Sequence, residues 1–135
     1  MVERTFVIVK PEAVKRGLIG EILRRLEQKG LRITNLKMTT ISEDLARVHY
    51  GHHADKPFFP ELMKAITAGP VVMAIIEGPD CIRHVRNLVG ATNPLEAVPG
   101  TIRGDFALVN PYNMVHAADS PEAAELEIKR FFGEQ

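Results

Sequence analysis

Arg4-Thr-Phe-Val-Ile-Val-Lys10 is a continuous apolar run that Lys10-Pro11 stops. A strand that is apolar on both sides needs cover on both sides, so this run predicts a strand central in its sheet. The period then changes. Ile19, Ile22, Leu23 and Leu26 recur at helical spacing, and Gly30 follows as a stop, which predicts an amphipathic helix. Leu31 and Ile33 start an alternating strand that Leu36 and Met38 continue in the opposite phase, so a bulge is expected near Asn35. Ser42 is placed to cap a short helix through Tyr50. Phe59, Leu62, Met63 and Ile66 predict another helix, ended by Gly69-Pro70. Val71 to Ile76 reads as a second buried strand. Asp80 is placed to cap a helix over 81–89 whose apolar stripe is Cys81, Val85 and Leu88. Asp105-Phe-Ala-Leu-Val109 predicts a fourth strand, and Ser120-Pro121 opens a last helix with cap and N1 proline in the preferred order.

Strands interleaved with helices in the order β-α-β-α-α-β-α-β-α imply one sheet covered by helices, an α/β or α+β sandwich. No linker interrupts residues 1–135, which are expected to form a single domain. Gly90 to Gly104 carries no helix or strand period, and a structureless loop of that length inside a compact domain is more often functional than not. Composition narrows the function. The 17 Lys+Arg balance 17 Asp+Glu, which argues against a protein that coats nucleic acid or anionic membrane but leaves room for a small basic pocket. The single cysteine, Cys81, allows no intrachain disulfide and fits a reducing compartment. Neither a signal peptide nor an apolar stretch of membrane-spanning length is visible, so a soluble cytoplasmic domain is expected.

Several residues are out of place for pure packing. Lys10 ends the strand expected to be central. Its position fits either a lysine snorkelling to water or an ammonium delivered to the cleft where ligands of open sheets collect. Arg86 flanks the apolar stripe of its helix, and Arg103 sits in the long loop within Pro99-Gly-Thr-Ile-Arg103-Gly-Asp105. The flanking glycines would let backbone approach a ligand closely. Each arginine alone is ordinarily solvated or surface-paired. Three separated cations with Thr92 would form an anion clamp, because guanidinium matches phosphate oxygens bidentately. Glu127 lies between Ala124 and Phe131 on the inner face of the last helix, and an inward carboxylate needs a partner. His116 is the obvious one. A carboxylate bonded to one ring nitrogen fixes the tautomer and leaves the other as a nucleophile, although a purely structural His–Glu pair has the same spacing. His49, His52, His53 and Asp55 resemble a metal cluster, but Gly51 interrupts the helix, and a solvated surface cluster is the better reading. No Gly-x-x-x-x-Gly-Lys-[Ser/Thr] loop and no Gly-x-Gly-x-x-Gly turn is present, so side chains would have to hold any phosphate.

The pieces together resemble the nucleoside diphosphate kinase family, essentially from residue 3 to residue 132. The matching motifs are Thr5-Phe-Val-Ile-Val-Lys10-Pro11, His49-Tyr50 followed by Lys56-Pro-Phe58-Phe59, and Gly69-Pro-Val-Val72. Gly90-Ala-Thr92-Asn-Pro94, Pro99-Gly-Thr-Ile-Arg103-Gly-Asp-Phe106 and Asn113-x-x-His116-x-x-Asp119-Ser120 complete the set. Each is weak alone; their joint order and spacing is specific. The resemblance implies a ferredoxin-like fold, a four-stranded antiparallel sheet covered by helices. It implies transfer of the γ-phosphate of a nucleoside triphosphate to a nucleoside diphosphate by a ping-pong route, with Mg²⁺ on the nucleotide phosphates and no directly ligated metal. His116 matches the histidine that carries the phosphoryl group on its pros nitrogen, and Glu127 the carboxylate that orients it. Lys10, Tyr50, Arg86, Thr92, Arg103 and Asn113 match residues around the phosphates and sugar, and Phe58 the ring on which the base stacks. Stacking without edge readout would accept every base. The family forms homo-oligomers, hexamers or tetramers, and needs neither nucleic acid nor membrane.

The chain departs from the family pattern at three places. Ala117-Ala118 stands where Gly-Ser is usual, removing a hydroxyl from the His–Glu network. Pro111-Tyr112 replaces a common Gly-Arg, and His52-His53 is unusual without a physical account in the sequence. A nucleotide-binding regulatory module, a His-rich metal-binding protein and an assembly subunit are the alternatives. Turnover, metal content and assembly state separate them.

Overall fold

The computed structural model describes residues 2–134. Strands β1 (Val2–Val9), β2 (Arg32–Thr40), β3 (Pro70–Pro79) and β4 (Val115–Ala117) form one antiparallel sheet in the order β2-β3-β1-β4. As the uninterrupted apolar run predicts, β1 is internal, with β3 on one side and β4 on the other. Its side chains alternate between two cores. Val7 and Val9 join Val72, Ala74 and Ile76 of β3 against α2 (Ile19–Gln28) and α5 (Cys81–Val89), where Ile22, Leu26, Val85 and Val89 are buried. Phe6 and Ile8 join Val71, Met73 and Ile75 on the other face. That face is closed by α3 (Glu43–His49), α4 (Phe59–Ile66) and α7 (Pro121–Phe132). Covering both faces is what makes runs with no polar alternation stable as strands. The arrangement is the ferredoxin-like α+β fold.

The bulge falls where the phase of β2 changes, with the register against β3 shifting between Ile33 and Asn35. Ser42 caps α3 by accepting from the Leu45 N–H, and Ser120 caps α7 by accepting from the Ala123 N–H.

Three expectations are corrected and one element is added. The fourth strand is not 105–109. Asp105 and Phe106 end a helix, α6 (Ile102–Phe106), which Thr101 opens by accepting from the Gly104 N–H. Leu108 and Val109 are exposed at 87% and 61%, an apolar pair on a loop surface rather than in a sheet. Secondly, the segment 90–104 is not structureless, because it holds a 3-10 turn at Pro94–Glu96 capped by Asn93 and the start of α6. A further short helix, α1 (Pro11–Lys15), follows β1 directly, with Pro11 supplying the fixed φ of a first helical residue. Finally, Asp80 stands at the N-cap position of α5, but its carboxylate makes no cap hydrogen bond. It is left-handed at φ 50°, and the Ile82 N–H is satisfied from a distance by Glu3 Oε1 at 2.9 Å.

On its outer side β2 pairs with no strand among the described residues, and Leu36 and Met38 on it are more than half exposed. No helix among the described residues is long and apolar enough to cross a membrane.

Candidate functional site

The site forms where β1 ends. Antiparallel pairing sets His116 of β4 opposite Ile8. Ile8 packs on the side covered by α3, α4 and α7, so His116 faces the same way. Lys10 follows one residue after β1 and is 3% exposed. The chain reaches β4 through Met114, which takes φ 75° and is held by two contacts. Its carbonyl accepts from the Lys10 N–H at 2.9 Å, and its N–H donates to Glu12 Oε2 at 3.1 Å. Non-glycine residues rarely take this conformation, and surrounding bonds must enforce it.

Glu127, on the inner face of α7, lies with Oε1 2.8 Å from His116 Nε2. An ionised carboxylate only accepts, so the proton sits on Nε2 and Nδ1 keeps its lone pair. His116 and Glu127 line a cleft of about 830 Å³. The same cleft is lined by Lys10, Tyr50, Phe58, Arg86, Thr92, Arg103 and Asn113, so the nine residues that the resemblance matches to the site come together.

The cations are less free than their sequence positions imply. Lys10 Nζ donates to Pro111 O at 2.6 Å and to Asn113 Oδ1 at 3.0 Å. Burial pulls its pKa down to about 8, with Glu12 opposing the shift and Arg103 adding to it. Arg103 is 4% exposed and gives Nη2 to Val115 O at 2.7 Å and Nη1 to Gly90 O at 3.0 Å. Burial, then the charge of Arg86, lowers its pKa to about 10, which leaves it charged at neutral pH. Arg86 donates to Ala117 O at 3.0 Å. Asn113 gives Nδ2 to Thr92 O at 3.2 Å, tying the long loop to the entrance of β4. The Tyr50 hydroxyl is buried, and burial followed by the charges of Glu12 and Glu127 holds its pKa well above the usual value, so it stays protonated. Phe58 stands at the rim, 46% exposed.

The expectation that Gly104 frees backbone for a ligand is corrected: the missing side chain makes room for the Val98 carbonyl, which a Cβ would overlap. The histidine cluster is corrected too. His52 and His53 stay at the rim with ring centroids 3.9 Å apart, and His53 meets Phe58 at 5.3 Å, so the unusual pair extends the aromatic surface of Phe58. His49 turns inward instead, 5% exposed, with its ring edge-on to His116 at 4.7 Å. Sequence reasoning leaves His49 in a solvated cluster and misses its partner Arg130, yet both line the cleft. The only local signal was that His49 is the last residue of an amphipathic helix.

His49, His116 and Glu127 place ligand-type atoms within 4.8 Å of one another. The donor set does not suit Mg²⁺, which takes oxygen ligands, and Glu127 is engaged with His116. A cleft walled by cations fits a divalent ion that arrives on phosphate oxygens.

A ferredoxin-like sandwich with a carboxylate-held histidine among three buried or half-buried cations defines a protein that handles phosphate groups through side chains. The family model for nucleoside diphosphate kinase matches residues 3–135. A relative of that description from Moorella thermoacetica is 57% identical over 97% of this chain and 94% of its own length. Another from Mycolicibacterium smegmatis is 56% identical over 98% of this chain and 96% of its own. The solved nucleoside diphosphate kinase of Halobacterium salinarum in complex with CDP superposes with a TM-score of 0.96 at 49% identity, over 99% of this chain and 90% of that one. The chain belongs to the nucleoside diphosphate kinase family, whose members are phosphotransferases.

Proposed function

We propose that this chain moves the γ-phosphoryl group of a Mg²⁺-bound nucleoside triphosphate to a nucleoside diphosphate by a ping-pong route through His116. The observation that carries this is the His116–Glu127 contact, which leaves Nδ1 as the nucleophile inside a cationic cleft. In the first half-reaction the Nδ1 lone pair attacks the γ-phosphorus, and the bond to the bridging oxygen breaks to release the diphosphate. In the second, a terminal oxygen of the incoming diphosphate attacks the phosphorus, and the N–P electrons return to the imidazole. Glu127 steadies the positive charge that the ring acquires through Nε2–H. Such transfer needs positioning and neutralisation more than covalent machinery. Lys10, Arg86 and Arg103 supply charge around the equatorial oxygens. Tyr50, Thr92 and Asn113 orient the phosphates and sugar, and the ion carried by the nucleotide shares the neutralisation. Phe58 offers a stacking face that does not discriminate between bases.

The chain acts as one domain spanning 1–135, in the cytoplasm, and as a homo-oligomer. An unpaired strand edge is a template for another chain, and among the described residues β2 presents one beside exposed Leu36 and Met38. Light scattering on the purified protein counts the copies.

Intact-protein mass spectrometry after mixing with ATP and Mg²⁺, beside a His116→Ala control, tests the relay. One phosphoryl adduct on the wild type alone, discharged by GDP, is expected. ATP binding without an adduct would leave a nucleotide-binding regulatory module as the function.

A further inference from the structure

His49 has no part in the relay through His116, yet it is buried and held by a partner on α7. Arg130 of α7 is three residues beyond Glu127 and so shares its helix face. Arg130 Nη1 lies 3.0 Å from His49 Nδ1. A guanidinium has donors and no lone pair, so Nδ1 accepts and the imidazole proton sits on Nε2. This tautomer has no lone pair at Nε2 for a metal, which removes His49 from the three-residue ligand set. It also turns Nε2 into an N–H donor. That atom is buried and has no hydrogen-bond partner among the described residues. Tyr50 and Phe131 hold the ring edgewise at 4.5 and 5.2 Å, and His116 is 4.7 Å away. A buried donor with no partner is costly unless a ligand completes it. The group that arrives next to His49 is the phosphoryl on His116.

Resting on the relay through His116, we propose that His49 Nε2–H donates a hydrogen bond to a phosphoryl oxygen during transfer, and that Arg130 is the positioning residue that fixes the tautomer. The imidazole stays neutral, because burial and the neighbouring His116 and Arg130 pull its pKa down to about 2. A neutral donor suits the place. Three cations already bind the ground-state phosphate, and a preorganised dipole strengthens as charge shifts in the transition state without tightening the ground state to the same degree.

The test combines three variants with two measurements. His49→Phe keeps the ring and removes the N–H, His49→Gln restores a donor, and Arg130→Met keeps the alkyl reach without the guanidinium. Single-turnover phosphorylation of each by ATP–Mg²⁺ gives the transfer rate and the ATP affinity separately. Long-range ¹H–¹⁵N correlation gives the tautomer of His49. In the wild type His49 is expected to be the Nε2–H tautomer alone. His49→Phe is expected to slow transfer on the order of 100-fold with ATP affinity unchanged, the lower end of the range for loss of one transition-state donor. His49→Gln should recover part of that loss, and Arg130→Met should show mixed tautomers with an intermediate rate. Transfer by folded His49→Phe at the wild-type rate, or an Nδ1–H tautomer in the wild type, overturns the proposal and leaves the relay standing. If His49→Phe does not fold, Arg130→Met carries the test, and an unchanged tautomer and rate there overturn it. A wild type that forms no adduct overturns relay and proposal together.

Discussion

Raising the pH should disarm this enzyme through Lys10 well before an ordinary lysine would titrate. Lys10 is buried, and its pKa falls from an ordinary 10.5 to about 8, chiefly because burial penalises the ammonium. At pH 9.5 a lysine of pKa about 8 is only about 3% protonated, whereas one at 10.5 is about 90% protonated. If the ammonium is what receives the phosphates, kcat/KM for ATP falls about 30-fold between pH 7 and pH 9.5. Arg103, at about 10, contributes little over that span. The value of kcat should change less, because it reports the complex, where phosphate oxygens favour the charged amine. Initial rates across the pH range, with ATP as donor, measure both. Lys10→Arg is the control: it remains charged throughout, so its alkaline limb should disappear even where its absolute rate is lower. Stability should move the opposite way. Between about pH 8 and 10.5 the unfolded chain holds more protons at this position than the folded one, so this lysine makes the folded state more stable as pH rises. The full shift corresponds to about 3 kcal/mol. A flat kcat/KM to pH 9.5, or a limb that persists in Lys10→Arg, would refute the assignment of the buried ammonium to substrate phosphate.

Other perturbations test separate parts of the site. Phe58→Ala should raise KM for every nucleotide by a similar factor, about 5- to 150-fold for the ~1–3 kcal/mol of a stacked base; an effect confined to one base would mean edge readout instead. Ala118→Ser should speed phosphorylation by less than about tenfold, since one hydrogen bond contributes ~0.5–1.5 kcal/mol and the His116–Glu127 contact already closes at 2.8 Å without it. An unchanged rate would show that Ala118 costs nothing. Ser120→Ala removes the acceptor 3.1 Å from the Ala123 N–H and should cost about 1 kcal/mol, read as a lower Tm with the transfer rate nearly intact. A large loss of rate would mean that the start of α7 controls the placement of Glu127.

The parts of the fold that were legible are those whose packing demand is local. β1, β3, α2 and α7 each bury a face or both faces along their length, and such demands leave a period. Elements that respond to distant groups left none. Asp80 looked like a cap, but Glu3 of β1 reaches the end of α5 first. His49 looked exposed because what buries it, Phe131 and Arg130, lies at the other end of the chain. The residue types of the site were readable, since inward carboxylates and strand-end cations are conspicuous, but their engagement was not. Beside α3, α5 and α7, which the pattern predicts, part of the site is built by elements that escaped it: α6, the three-residue β4 and the turn that enters it. There is a physical reason. The carbonyls of Gly90, Pro111 and Val115 hold Arg103 and Lys10 in a buried cleft. Lys10 and Arg103 can be kept out of water only if acceptors surround them. A long regular strand or helix would commit those carbonyls to its own ladder. The site therefore needs short, irregular backbone around Lys10 and Arg103, and short irregular backbone leaves no period in the sequence.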